Sequence, residues 1–323
     1  MRFKSLPQNG SSWQEPLLYT LDTESSTPQN LTVEILDMEN KRVIATKRLY
    51  GVTTAEIDVA PYLRSLCDLQ IKPSSQCTIK RSYSSCRVAL SVGAVMSEAR
   101  LFAMNKIDHT CFALLSNVAD ESKIEYGETV IVSLYTPSSI KAVLSAHTEG
   151  GSRQYQLSWN VAEHSVDVII PTSFLAQNVL YITIDIYCSM TLVKTLKYNV
   201  VSPDERSHRL YWRNERGGVE SYDFPHSLRL ASGAVVDKFE LQSGTRHELR
   251  SATTEYRLYS AIESQAELER ISGVIRSPYV YEIVNNVAYG VNLVNRTIEY
   301  GDHGRLSQVV VGIRREWGGG DYV

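Results

Sequence analysis

Apolar and polar residues alternate in short stretches along most of the chain, with turn residues between them. Leu31-Thr32-Val33-Glu34-Ile35 is one such stretch; it turns through Glu39-Asn40-Lys41 and resumes at Arg42-Val43-Ile44-Ala45-Thr46. A period of two puts Leu31, Val33 and Ile35 on one face of a strand, so the pattern predicts a β-hairpin. Thr54 to Val59 reads as another strand, and in Ala60-Pro61-Tyr62-Leu63-Arg64-Ser65-Leu66 the proline can open one helical turn. Thr78 to Tyr83 and Arg87 to Val95 read as a second hairpin. The first roughly 110 residues therefore carry six or seven strands, the size of an immunoglobulin-like sandwich.

The pattern starts again after Gly127. Strands are predicted over Thr129 to Tyr135, Ala142 to His147, Gln154 to Val161, Ser165 to Pro171, Tyr181 to Cys188 and Thr191 to Val200. In the fifth of these Ile182, Ile184 and Ile186 fall on one face and Thr183, Asp185 and Tyr187 on the other, as a half-solvated sheet requires. The polar Ser202-Pro203-Asp204-Glu205-Arg206 reads as a linker. Beyond it strands are predicted around Tyr222 to Phe224 and Phe239 to Gln242. Ser264 and Glu267 form a capping box for a helix whose Leu268, Ile271 and Ile275 share a face, with Pro278 as its stop. Tyr279 to Val284, Tyr289 to Val294, Thr297 to Tyr300 and Ser307 to Arg314 read as further strands, and Gly318-Gly319-Gly320 as a mobile end. The expected fold is mainly β: two tandem immunoglobulin-like β-sandwich domains, residues 1–112 and 113–203, followed by a smaller α+β domain, 204–323, with one helix near 264–276.

Composition narrows the partners. Lys and Arg number 33 against 36 for Asp and Glu, a net charge of −3, so there is no overall positive field and nucleic acid is not an expected partner. The first ten residues hold Pro7, Gln8, Asn9 and Gly10 where a signal peptide needs an apolar run, and nothing in the chain approaches the roughly 20 apolar residues of a membrane-spanning helix. Cys67, Cys77, Cys86, Cys111 and Cys188 are odd in number and lack C-x-x-C spacing, so they read as reduced thiols, with a Cys77–Cys86 bridge across the predicted hairpin as the exception to check. The 19 tyrosines against 6 phenylalanines and 4 tryptophans favour β structure with half-wet surfaces.

Catalytic motifs are missing from the sequence. The seven histidines include no i, i+2 or i, i+4 pair, and Asp302-His303-Gly304 sits between two predicted strands as a turn. There is no G-x-S-x-G elbow, and Gly217-Gly218 lacks the Lys-Ser/Thr ending of a phosphate loop. No pair of carboxylates is singled out by spacing. The reading is a non-enzyme without cofactor or metal. Its densest run of interface residue types is Tyr211-Trp212-Arg213-Asn214-Glu215-Arg216, and Tyr211, Trp212, Arg213 and Arg216 are the candidate protein-docking residues, because Tyr, Trp and Arg supply rigid area with a polar tip. The competing reading has Trp212 anchoring its own domain's core while the arginines are solvated or pair with Glu215 and Glu220. Arg314, Arg315 and Trp317 repeat the composition.

Three segments together resemble uncharacterised structural proteins of phages and prophages of Bacteroidetes. They are Ile57-Asp58-Val59 running into Ala60-Pro61-Tyr62-Leu63-Arg64-Ser65-Leu66, the block from Trp212 to Phe224, and the C-terminal order of helix, Ser277-Pro278-Tyr279-Val280-Tyr281 and strands ending at Arg314. The resemblance implies a tail or baseplate component that works by self-assembly and docking, in the virion or in the host cytoplasm before assembly, and it brings no catalytic residues. The alternative is a bacterial surface module in which tandem sandwiches carry a carbohydrate or adhesin site. An enzyme with accessory sandwiches would need a catalytic domain larger than the C-terminal segment.

Overall fold

A computed structural model of the chain describes residues 1–66, 71, 73–82, 84–162, 164–204, 206–241, 244–277, 279–284, 287–303 and 306–318; Cys67, Tyr83, Glu205, Pro278, Gly304 and everything from Gly319 onward lie outside them. Period-two patterning becomes strand along most of the chain, and the protein is mainly β. The first strands are β1 (Arg2–Ser5), β2 (Ser11–Ser12), β3 (Leu18–Asp22), β4 (Gln29–Asp37), β5 (Arg42–Val52) and β6 (Thr54–Asp58), followed by helix α1 (Ala60–Leu66). Then come β7 (Thr78–Arg81), β8 (Ser85–Val92), β9 (Val95–Met96), β10 (Arg100–Ala103), β11 (Ala113–Leu114), β12 (Glu121–Glu125), β13 (Thr129–Thr136), β14 (Ile140–Thr148), β15 (Gly151–Trp159), β16 (His164–Pro171), β17 (Tyr181–Cys188) and β18 (Thr191–Val201). The last part holds β19 (His208–Arg213), β20 (Val219–Phe224), β21 (His226–Leu241), β22 (Gly244–Tyr259), helix α2 (Gln265–Ser272), β23 (Val280–Val284), β24 (Val287–Gly290), β25 (Asn292–His303) and β26 (Leu306–Gly318).

The first part forms two sheets, β1-β3-β6 and β2-β10-β8-β4-β5, with β9 on β8. The predicted hairpin is β4–β5, with Val33 opposite Lys47 and Ile35 opposite Ala45. Tyr19, Leu21 and Ile57 from one sheet meet Val33, Ile35, Leu90 and Phe102 from the other in a single core, which Val59 and Leu63 close at the start of α1.

The strand predicted at Thr78 forms, but not with its expected partner. β7 pairs antiparallel with β16, Ile79 opposite Val168, and Ile79 joins the core of the following sheets. β8 pairs with β4 and β10 instead. Period two specifies which face a residue takes and is silent about which strand lies alongside. The crossing is made by buried serines: the Ser82 N–H donates to the Ser165 carbonyl at 2.8 Å, and Ser85 Oγ accepts from the Ser165 N–H at 3.1 Å. Without that hairpin the proposed Cys77–Cys86 bridge has no geometry to close it, and Cys77, Cys86, Cys111 and Cys188 carry no disulfide.

The middle sheets are β11-β13-β16-β7 and β12-β18-β17-β14-β15, sharing a core of Val130, Val132, Val168, Leu144, Ile184 and Leu196 among others. β17 keeps its predicted alternation, Ile182, Ile184 and Ile186 inward. β13, by contrast, is buried at every position. A strand buried on both faces has something covering its second face; the last part of the chain covers it at Ile131 and Ser133, and Leu101 and Leu115 cover it at Tyr135.

The last part forms the sheets β20-β19-β23-β24 and β21-β22-β26-β25 around Trp212, Phe224, Leu258, Leu268, Ile271 and Ile313. Ser264 caps α2, its hydroxyl accepting the Glu267 N–H at 3.4 Å, while the Glu267 carboxylate turns to Arg270 instead of closing the capping box. Where the sequence suggested only a short strand near Phe239, β21 and β22 run for 16 residues each. The middle of β21, Ala231-Ser232-Gly233-Ala234, has no apolar alternation to reveal it. β22 pairs with β26 from Tyr259↔Val310 to Ser251↔Gly318, whereas β21–β22 pairing continues to Leu241↔Gly244, so the outer half of this hairpin has no third strand among the described residues. No described helix is long and apolar enough to cross a membrane.

Candidate functional site

Three of the four predicted docking residues are inside the protein: Tyr211, Trp212 and Arg213 are 1%, 0% and 3% exposed. Only Arg216 faces solvent. They are consecutive residues of a strand covered on both sides. Leu210 and Trp212 point into the core of the last part, and Tyr211 points the other way, into a cluster with Ile131, Ile169, Val219 and Tyr281. That second cluster joins β13 and β16 to β19, β20 and β23. The residues do dock, but one part of the same chain onto another, and the expected external patch at Tyr211, Trp212 and Arg213 is not a free surface.

The junction is polar as well as apolar. The Tyr211 hydroxyl donates to the Thr129 carbonyl at 2.8 Å and accepts from the Thr129 N–H at 3.2 Å. Arg213 donates from Nη1 to Ser82 Oγ at 3.1 Å and to the Gly217 carbonyl at 2.9 Å, and from Nη2 to Asp167 Oδ2 at 3.1 Å. Ser133 Oγ donates to the other Asp167 oxygen at 2.5 Å and accepts the Val219 N–H at 2.9 Å. Arg209 Nη1 reaches both Glu128 Oε2 at 2.9 Å and Asp223 Oδ2 at 2.6 Å. Burial pushes the Glu128 carboxyl well above the usual range; Arg209 pulls against it and the neighbouring Asp223 charge adds to the rise. Such buried ion pairs add little net stability, because desolvation offsets the attraction, but each fixes one geometry.

The turn between β19 and β20 is wedged into this junction. Asn214 Oδ1 accepts the N–H groups of Arg216 and Gly218, both at 2.9 Å, and so holds the loop from within. Gly217 has φ +82°, and a Cβ there would lie 2.5 Å from Ser84 Cβ; one on Gly218 would lie 2.3 Å from the Leu115 carbonyl carbon. The two glycines let the turn touch the first part at Ser84 and the chain entering the middle part at Leu115. Glu220 follows, accepting from the Asn117 N–H at 2.9 Å and from Arg270 at 3.2 Å, and burial raises its carboxyl above the ordinary value in spite of those donors.

Arg314 and Arg315 are also engaged within the chain. Arg315 forks onto Glu282 with two contacts of 2.5 Å, His208 Nδ1 lies 3.0 Å from the same carboxylate, and Arg314 pairs with Glu255. Burial works against ionising Glu282, but the hydrogen bonds from His208 and Arg315 prevail and hold its carboxyl below the usual range. Glu215, offered to the arginines of its own segment, pairs with Arg276.

Two clefts flank the junction, of about 880 Å³ beside Trp212, Arg216 and Lys106 and about 630 Å³ beside Arg209, Asp223 and Tyr198. Donor atoms of Asp37, Glu39 and Cys86 come within 4.8 Å of one another, a spacing open to a cation. Arg42 on Asp37 and Arg81 on Glu39 already neutralise those carboxylates. The arrangement as a whole is built to hold parts of a chain in register.

No family model and no curated protein matches the chain. Among solved structures it is similar to the calcium binding domain CBD12 of CALX1.1, at 7% identity over 58% of this chain and 92% of that one with a TM-score of 0.19. It is also similar to the full extracellular region of plexin A4, at 9% identity over 94% of this chain and 39% of that one, again with a TM-score of 0.19.

Proposed function

We propose that this is a non-catalytic structural protein of a phage or prophage virion, in the tail or baseplate, that acts by docking onto copies of itself and onto neighbouring virion proteins. Its architecture on this reading is two tandem immunoglobulin-like sandwiches, 1–112 and 113–203, the first lending β7 to a sheet of the second, and an α+β domain, 204–323. The observation that carries the reading is the β21–β22 hairpin, whose outer half has no third strand among the described residues. A lone two-stranded ribbon is marginal in water and gains most from a partner strand. The internal junction supports the same reading, since a rigidly set third domain presents that hairpin in a fixed direction.

Induction of a host carrying the gene, followed by mass spectrometry of purified particles, tests it. The chain should be present in a fixed ratio to the major tail proteins. Absence from particles, together with a selective hit on a glycan array, would overturn it in favour of a carbohydrate-binding surface module.

A further inference from the structure

We propose that the outer edge of β21 pairs with the same edge of a second copy of this chain, antiparallel and about a two-fold axis, so that two four-stranded sheets become one. This rests on the assembly reading above and names its first partner.

β21 ends its sheet, so among the described residues the N–H and C=O groups along its outer side have no strand to bond. The strand is 16 residues long, far beyond the usual five or six. Its sequence holds no proline and a single lysine, Lys238, and its ladder with β22 shifts register at two places, at Leu230 and between Val235 and Val236. Leu228, Arg229, Leu230, Ser232 and Gly233 are all exposed, which leaves both faces open at those residues as well as the edge. Leu228 and Leu230 are 50% and 49% exposed, apolar area that a second strand and its neighbours would cover.

Charge sets the direction of pairing and the kind of partner. The first half of the strand, His226 to Gly233, contains Arg229 and no acid; the second half, Ala234 to Leu241, contains Asp237 and Glu240 against Lys238. Antiparallel pairing of two identical strands lays the basic half of each against the acidic half of the other. Parallel pairing would set like against like, which costs stability across an interface. A self-complementary edge closes as a two-fold dimer.

Light scattering after size exclusion, run on the full chain over a concentration series, reads the association directly. The wild type should approach twice the chain mass as concentration rises. Arg229→Asp and Asp237→Arg should each weaken self-association by about tenfold or more, and the double swap R229D/D237R should recover most of it, because opposite charges meet again across the edge. Leu228→Lys with Leu230→Lys, both at exposed positions, should also give a monomer with an unchanged circular dichroism spectrum. A wild type that stays monomeric at every concentration, or charge variants that associate as the wild type does, would overturn the pairing. If the monomeric chain is still found in particles, the self-pairing fails and the assembly reading stands; a dimer missing from particles fails the assembly reading alone.

Discussion

The hydroxyl of Tyr211 is bonded to both backbone groups of Thr129, a residue of a different sheet. The reason lies in the ladder. The Glu128 carbonyl takes the Thr172 N–H, which makes Thr129 and Pro171 a non-hydrogen-bonded pair and turns the Thr129 groups toward the other edge of β13. β11 pairs only with Leu134 and Tyr135, too far along to meet them. Tyr211 fills the gap. Tyr211→Phe keeps the ring and leaves a buried N–H and C=O unpaired, so it should destabilise the protein by about 1–3 kcal/mol in urea denaturation. A loss under about 0.5 kcal/mol would mean that water replaces the phenol at no cost.

The glycines of the β19–β20 turn are predicted to be irreplaceable. Gly218→Ala pushes a methyl into the Leu115–Ser116 backbone, and Gly217→Ala adds a strained positive φ to a clash with Ser84. Either should cost more than about 3 kcal/mol or prevent folding. Gly93 is the control: its φ is +60° but nothing lies within 4 Å of a Cβ there, so Gly93→Ala should cost only about 1 kcal/mol. Thermal melts of the three variants give the order.

Arg213 serves three acceptors from two separate nitrogens of one planar fork, which a lysine's single nitrogen does not reproduce. Arg213→Lys should therefore behave nearly as badly as Arg213→Met. Each leaves Asp167 without its full set of donors in a buried site, a loss of about 3–5 kcal/mol. If Arg213→Lys unfolds at the wild-type denaturant midpoint, the fork is not what holds the junction.

Glu282 gives a pH dependence with a definite sign. Its carboxyl lies below the usual range in the folded state, because the Arg315 and His208 contacts outweigh burial. The stability it contributes is thus complete above the ordinary carboxylate pKa of about 4.3 and is lost as pH falls through the lowered value. Glu282→Gln should cost about 3 kcal/mol at neutral pH. The gap between variant and wild type should stay flat down to about pH 5 and close below about pH 4. A gap that widens on acidification would reverse the assignment.

Strand positions were largely legible from the sequence, because a sheet face against a core forces period two, as at Leu31, Val33 and Ile35 or Ile182, Ile184 and Ile186. The helix was legible from its cap at Ser264. Strand partners were not: β7 alternates as well for one neighbour as for another. The burial of Tyr211, Trp212 and Arg213 is not legible from residue type, because interface residues and residues of an internal junction have the same composition. A signal was available in Leu210-Tyr211-Trp212-Arg213 itself. A half-solvated strand shows a small polar residue at every second position, and this one shows large side chains at all four, the mark of a strand covered twice.

The place of β7 also sets an order on the ribosome. Thr78–Arg81 leaves the exit tunnel some 80 residues before β16, the strand it pairs with. For that interval the nascent chain can complete the core around Tyr19 and Phe102 while holding an unmatched strand beside it. Separations of this size slow folding, since a long loop must close before the contact forms. A messenger cut short before His164 would therefore yield a product with an open strand from its own first half, ready to be captured by another nascent chain.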